Sequence, residues 1–151
     1  MKTFCFLALC FFSSSTMSAQ MNSWPTKVVW LTTTTTNDGE VAQAIKASKG
    51  AQFDVFYVDY SQKILEHFEN SFPSSMLNKP ESERNEYVKK NITPRLKAYT
   101  PEMMRSEMGI GLAKLYQLKR IPAVVINDKY ITYGLSVDES IALYLKTRED
   151  K

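Results

Sequence analysis

The stretch Ile121-Pro122-Ala123-Val124-Val125-Ile126-Asn127-Asp128-Lys129-Tyr130-Ile131-Thr132-Tyr133-Gly134 decides the fold. Two β-branched runs flank the polar pair Asn127-Asp128, which is the composition of a hairpin. Pro122 stands at the mouth of the first run, one of the few places where a strand tolerates a residue without an N–H. A helical pattern precedes the stretch and another runs from Val137 to Leu145. The C-terminal half therefore reads helix, strand, strand, helix.

Working outward to the N-terminal half, Lys27-Val28-Val29-Trp30-Leu31-Thr32 is apolar on both faces, as a central strand is. Five threonines follow, Thr32 to Thr36. Asn37 then stands three residues before Glu40, the spacing of a capping box, and Val41, Ala44, Ile45 and Ala47 continue a helical face up to the stop at Lys49-Gly50. Gln52 to Asp59 has strong β propensity and reads as a second strand. Strand, helix and strand make a βαβ unit, whose two strands are parallel under the crossover rule.

Between the two halves the pattern is helical from Ser61 through Phe68 and breaks at Ser71 to Ser75. A charged helix opens at Pro80-Glu81, with Pro94 either ending it or lying in the first turn of its successor. Thr100-Pro101 reads as a cap followed by a first-turn proline. The helix it starts is expected to bury Met104, Met108, Leu112, Leu115 and Tyr116. Gly109 and Gly111 inside it cost about 1 kcal/mol each relative to alanine, which close packing on the sheet or a break in the helix would explain. Residues 72–100 are best treated as a helical insertion, and the fold class is α/β with a central mixed sheet.

Both cysteines, Cys5 and Cys10, lie in an N-terminal segment with one basic residue, Lys2, an apolar run from Phe4 to Phe12 and a small, polar stretch ending at Ala19. That is the make-up of a secretory signal peptide, and the run is short of the roughly 20 residues that a membrane span needs. Leu9 occupies the position where a lipoprotein wants a small residue before Cys10. The expectation is a signal peptide over residues 1–19, a single domain over 20–151, a periplasmic location and no transmembrane segment in the mature chain. Such a mature chain holds no thiol for a disulfide, a nucleophile or a metal. Without Lys2 the charge balance is 18 Lys and Arg to 16 Asp and Glu. The two signs are interspersed, so direct nucleic-acid binding is not expected.

With the insertion set aside, the order β, α, β, α, β, β, α resembles a thioredoxin-like domain. That resemblance implies a cis bond at Ile121–Pro122 beside a ligand groove. A more specific likeness rests on Tyr57-Val58-Asp59 at the end of the second strand, Phe72-Pro73 at the start of the insertion, Pro122-Ala123-Val124-Val125, and Tyr133-Gly134. Together they resemble an uncharacterised family of exported proteins encoded in integrating conjugative elements of bacteria, among genes for mating-pair formation and type IV secretion. An acidic residue usually follows that Tyr-Gly closely. Here Leu135-Ser136-Val137 precede Asp138, so no role carries over to Asp138.

The resemblance implies a binding groove at Ile121 and Pro122, where main-chain groups meet an extended segment. Thr33, Thr34, Thr35 and Thr36 fill the loop where redox relatives carry two cysteines. These threonine hydroxyls can hydrogen-bond a ligand, and no base stands near in sequence to activate one. His67, Glu66 and Glu69 read as a solvated helix face. Phe72, Tyr87 and Tyr99 either anchor a partner or seat the insertion. No catalytic residue, metal site or cofactor is expected. The function expected is a non-catalytic component of a conjugative DNA-transfer apparatus that binds other exported mating-pair formation proteins. The alternative is a thioredoxin-fold enzyme that takes glutathione or another small thiol.

Overall fold

The computed structural model describes residues 24–149. The expected signal peptide and both cysteines lie outside them. Strand β1 (Lys27–Thr32) leads through a loop to helix α1 (Asp38–Ala47) and strand β2 (Gln52–Tyr57). The chain continues through α2 (Tyr60–Asn70), α3 (Ser74–Leu77), α4 (Glu81–Tyr87), a π-helical turn (Val88–Ile92), α5 (Thr93–Ala98) and α6 (Thr100–Leu115). It closes with β3 (Ala123–Ile126), β4 (Tyr130–Tyr133) and α7 (Val137–Glu149).

The four strands lie in the order β2-β1-β3-β4. β1 runs parallel to β2 and antiparallel to β3, and β3 is antiparallel to β4, so the sheet is mixed and β1 is central as its two-sided apolar pattern requires. Alternation along β1 then sends residues to two cores. Val28 and Trp30 pack with Val124 and Ile126 beneath Ala44 of α1 and Val137, Ile141 and Tyr144 of α7. Val29 and Leu31 pack with Phe56 and Val125 beneath Leu112, Ala113 and Tyr116 at the end of α6.

The local signals act where the sequence put them. Asn37 Oδ1 accepts from the Glu40 amide at 3.0 Å and Glu40 returns a carboxylate to the Asn37 amide at 3.2 Å, closing the capping box. Asn127 and Asp128 take φ values of +51° and +60°, which match the hairpin's twist and are tolerated by these two residue types. The Ile121–Pro122 bond is cis.

Several expectations are corrected. β2 ends at Tyr57 and not at Asp59, because its partner β1 ends at Thr32, whose carbonyl takes the last ladder bond from the Val58 amide at 2.9 Å, and Asp59 is the residue before α2. The break after α2 contains the one-turn helix α3. Thr100 is the first residue of α6 and makes no side-chain cap bond. The largest difference is the face that α6 buries. Met104, Met108 and Leu115 are exposed, while Ser106 and Gly109 are buried. Small residues win this contact because the helix axis lies against Phe56. Of the two explanations for the glycines, close packing holds at Gly109, whereas Gly111 meets open space in an unbroken helix.

Candidate functional site

One cleft, of about 250 Å³, lies where the C-terminal end of β1, the start of α1, the Pro122 corner and the start of α7 converge. Its walls include Thr32, Thr36, Pro122 and Gly134, with Trp30 among its apolar residues and Glu40, Gln43 and Asp138 at the rim. The sheet supplies Trp30 and Thr32 because both precede the point where β1 ends. Gly134, at φ +69°, turns the chain out of β4 into α7.

The threonine run divides. Thr36 lines the cleft and pairs its hydroxyl with that of Thr32 at 2.6 Å. Thr33 and Thr35 bond each other at 2.7 Å outside it. Thr34 is held by Asp59, whose carboxylate accepts from the Thr34 amide and hydroxyl, both at 2.8 Å. Asp59 thereby fixes the loop against the start of α2. Of the residues singled out from sequence, the structure brings Thr36 and Pro122 together at the cleft. Thr33, Thr34, Thr35 and Ile121 are not among its lining, and Ile121 packs instead with the core beneath α6.

A family described as proteins of unknown function, DUF1525, matches residues 26–150. The chain belongs to the DUF1525 family. The match takes in every element from β1 to α7, so the cleft lies wholly within the family region. No curated protein and no solved structure matches the chain.

Two features of this DUF1525 cleft are not legible as site residues from sequence. Trp30 is 7 % exposed, and its indole Nε1–H is buried without an acceptor among the described residues. Leaving such a donor unpaired costs about 1–3 kcal/mol. The second feature is the acidic rim. Ser136 caps α7, with its amide and hydroxyl donating to Glu139 Oε2 at 2.9 and 2.7 Å. The Ser136 hydroxyl, then the Ser136 amide, hold the Glu139 carboxyl below its ordinary range. Asp138 is lowered too, by the Ser136 hydroxyl first; burial opposes it, and the first-turn amides and the Gln43 side chain follow with lesser lowering effects. The single hydroxyl proton serves Glu139, and Gln43 Nε2 donates to Asp138 Oδ2 at 3.5 Å. Ser136-Val137-Asp138-Glu139 has capping-box spacing, a signal that was available in the sequence.

Among the described residues no three His, Cys, Asp or Glu side chains gather where a metal ion could sit, and no helix is long and apolar enough to cross a membrane. His67 meets Phe68 edge-on at 5.6 Å. The insertion aromatics pair within the chain: Tyr99 meets Phe68 at 6.0 Å and seats the insertion on α2, and Phe72 meets Tyr87 at 5.6 Å inside the insertion.

At the other end of the sheet, Asp128 accepts from Lys27 Nζ at 2.8 Å and from the Tyr116 hydroxyl. These two bonds, Lys27 first, lower the Asp128 pKa, and the bond to Asp128 raises that of Lys27. Tyr116 is raised, by burial first and then by Asp128. A depressed carboxyl contributes stability that is present above its unfolded pKa, about 3.9, and lost as pH falls through the folded value. Raised lysine and tyrosine groups contribute stability present below about 10 and lost as pH rises through their folded values. Asp128→Asn, which keeps the turn conformation, should therefore flatten the acid side of the melting-temperature profile between about pH 5 and pH 3. Equal acid slopes in the two proteins would show that the cluster contributes nothing.

Proposed function

We propose that the fold is thioredoxin-like and that the protein is a non-catalytic, exported component of a conjugative DNA-transfer apparatus. In this reading it works in the periplasm and holds an extended segment of another mating-pair formation protein in the cleft beside Pro122. The cleft itself, which sets Thr36 of the threonine loop beside Pro122, is the observation that carries the binding role. An occupant in extended form would lie along this corner through its main-chain groups, as extended segments do when they bind at the ends of strands. The mixed sheet, with a parallel βαβ half and an antiparallel hairpin half, supports the fold assignment. The resemblance to exported proteins of conjugative elements supports the setting.

The rim chemistry bears on the alternative. Glu40 and Asp138 both border the cleft, so an anionic thiol such as glutathione would meet like charge there. Thr33 and Thr35, moreover, spend their hydroxyls on each other. A segment with a lysine or arginine next to an apolar residue fits this rim better.

The test is complementation of a donor strain lacking the gene. Gln43 is exposed on α1 and borders the cleft, so Gln43→Trp should fill the opening without disturbing the core. Thr35→Trp places the same bulk outside the cleft and serves as its control. Wild type and Thr35→Trp should restore transfer, and Gln43→Trp, folded to the same melting temperature, should not. Full restoration by Gln43→Trp would overturn the cleft as the binding surface, and normal transfer by the deletion strain would overturn the conjugative role.

A further inference from the structure

Helix α6 carries a second stripe besides the one it buries. Pro101, Met104, Met108, Gly111 and Leu115 follow one another at steps of 3, 4, 3 and 4 residues. That is the a/d spacing by which one helix lies along another. All five are exposed, Met104, Met108 and Leu115 at 63 %, 60 % and 71 %, and Ser106 and Gly109 on the opposite side of the helix are buried in the domain. Met104 and Met108 form a ridge between two shallow clefts. One, of about 590 Å³, reaches to Leu96, and the other, of about 630 Å³, to Phe56. A ridge with a groove on either side is the relief that a second helix fills.

We propose that this face is the interface of a homodimer, in which α6 packs antiparallel against α6 of a second copy about a two-fold axis. The flanking charges select that occupant. When the a and d layers of two antiparallel copies interleave, Met108 of one protomer faces Gly111 of the partner subunit, and Met104 faces Leu115 of the partner subunit. Large then meets small at the centre. The same register sets Glu107 beside Lys114 of the partner subunit, and the axis repeats that pair. Neither Glu107 nor Lys114 is in an ion pair among the described residues. A parallel pairing would instead set Glu107 against Leu112 and gain no charge pair. Arg105, the remaining charge beside the seam, is drawn onto its own domain. Its guanidinium donates to the Val55 carbonyl at 3.1 and 3.2 Å and lies 5.0 Å from the centre of the Phe56 ring.

The interface is independent of the cleft at Pro122 and survives if the conjugative reading fails. Sedimentation equilibrium of the purified protein tests it. Wild type should be a reversible dimer. Met108→Lys, a change at an exposed position, should give a monomer with an unchanged melting curve at low concentration. Glu107→Lys and Lys114→Glu should each weaken the dimer about tenfold, since each turns two attractive pairs into repulsive ones. Joining the two changes in one chain should restore wild-type association. A wild-type monomer up to about millimolar concentration, where even weak specific pairs assemble, would overturn the proposal. So would a dimer indifferent to Met108→Lys, or a double variant no tighter than the single ones.

Discussion

Gly109→Val should lower stability by about 3 kcal/mol, with a fall in melting temperature of roughly 10 °C. A Cβ on residue 109 would stand 2.7 Å from Cβ of Phe56 and 3.4 Å from Phe56 Cγ and Val58 Cγ1. Phe56 Cβ is fixed to the β2 backbone in a buried position, so it cannot swing aside as the end of a long side chain can. Either α6 lifts off the sheet or Phe56 moves, and both loosen the core formed with Leu31 and Val125. The helix itself would favour losing the glycine, by about 0.5–1 kcal/mol for alanine and by less for β-branched valine. Gly111→Ala shows that gain alone, since nothing stands within 4 Å of a Cβ there. Thermal melts of the two variants, at concentrations too low for self-association, should move in opposite directions. A Gly109→Val protein as stable as wild type would show that α6 does not lie this close to β2.

A loss of similar size is expected for Asn127→Ala. The Asn127 Oδ1 accepts from the Thr26 amide at 2.9 Å and from the Lys27 amide and the Thr26 hydroxyl at 3.0 Å. Its Nδ2 donates to the Tyr144 hydroxyl at 2.9 Å, which ties the hairpin turn to α7 as well as to β1. Alanine leaves the two backbone donors without their acceptor, at about 1 kcal/mol each, and must hold a φ of +51° at about 1 kcal/mol more. The sum is about 3 kcal/mol. Asn127→Gly removes the bonds but not the permitted backbone, and should cost about 2 kcal/mol. Asn127→Asp keeps the acceptor and should cost least. Chemical denaturation should rank the three in that order, and equal losses for alanine and aspartate would show that the Oδ1 bonds do not matter.

How much was legible follows from the reach of each signal. The β1 run, the β-branched hairpin and the Asn37–Glu40 box are written in residues within a few positions of one another, and each forms where the sequence places it. The second capping box, Ser136 with Glu139, was equally local and could have been read. The α6 assignment failed for a different reason. Its apolar periodicity is satisfied by two stripes, and the larger side chains, Met104, Met108 and Leu115, marked the one that does not face the sheet.

The sequence by itself determined the four strands and the longer helices to within a few residues, that β1 is central, and where the hairpin turns, because backbone preference, capping and side-chain alternation act over one or two turns of chain. Tertiary structure alone decided that Gly109 meets Phe56, that Asp59 clamps Thr34, that Thr36 is the threonine of the run that reaches the Pro122 cleft together with Thr32, and that Trp30 is left without an acceptor among the described residues. Each of these is a distance between residues on different elements. Such distances are set by how closely the helices settle on the sheet, and that depends on the volumes of side chains that no local pattern brings together.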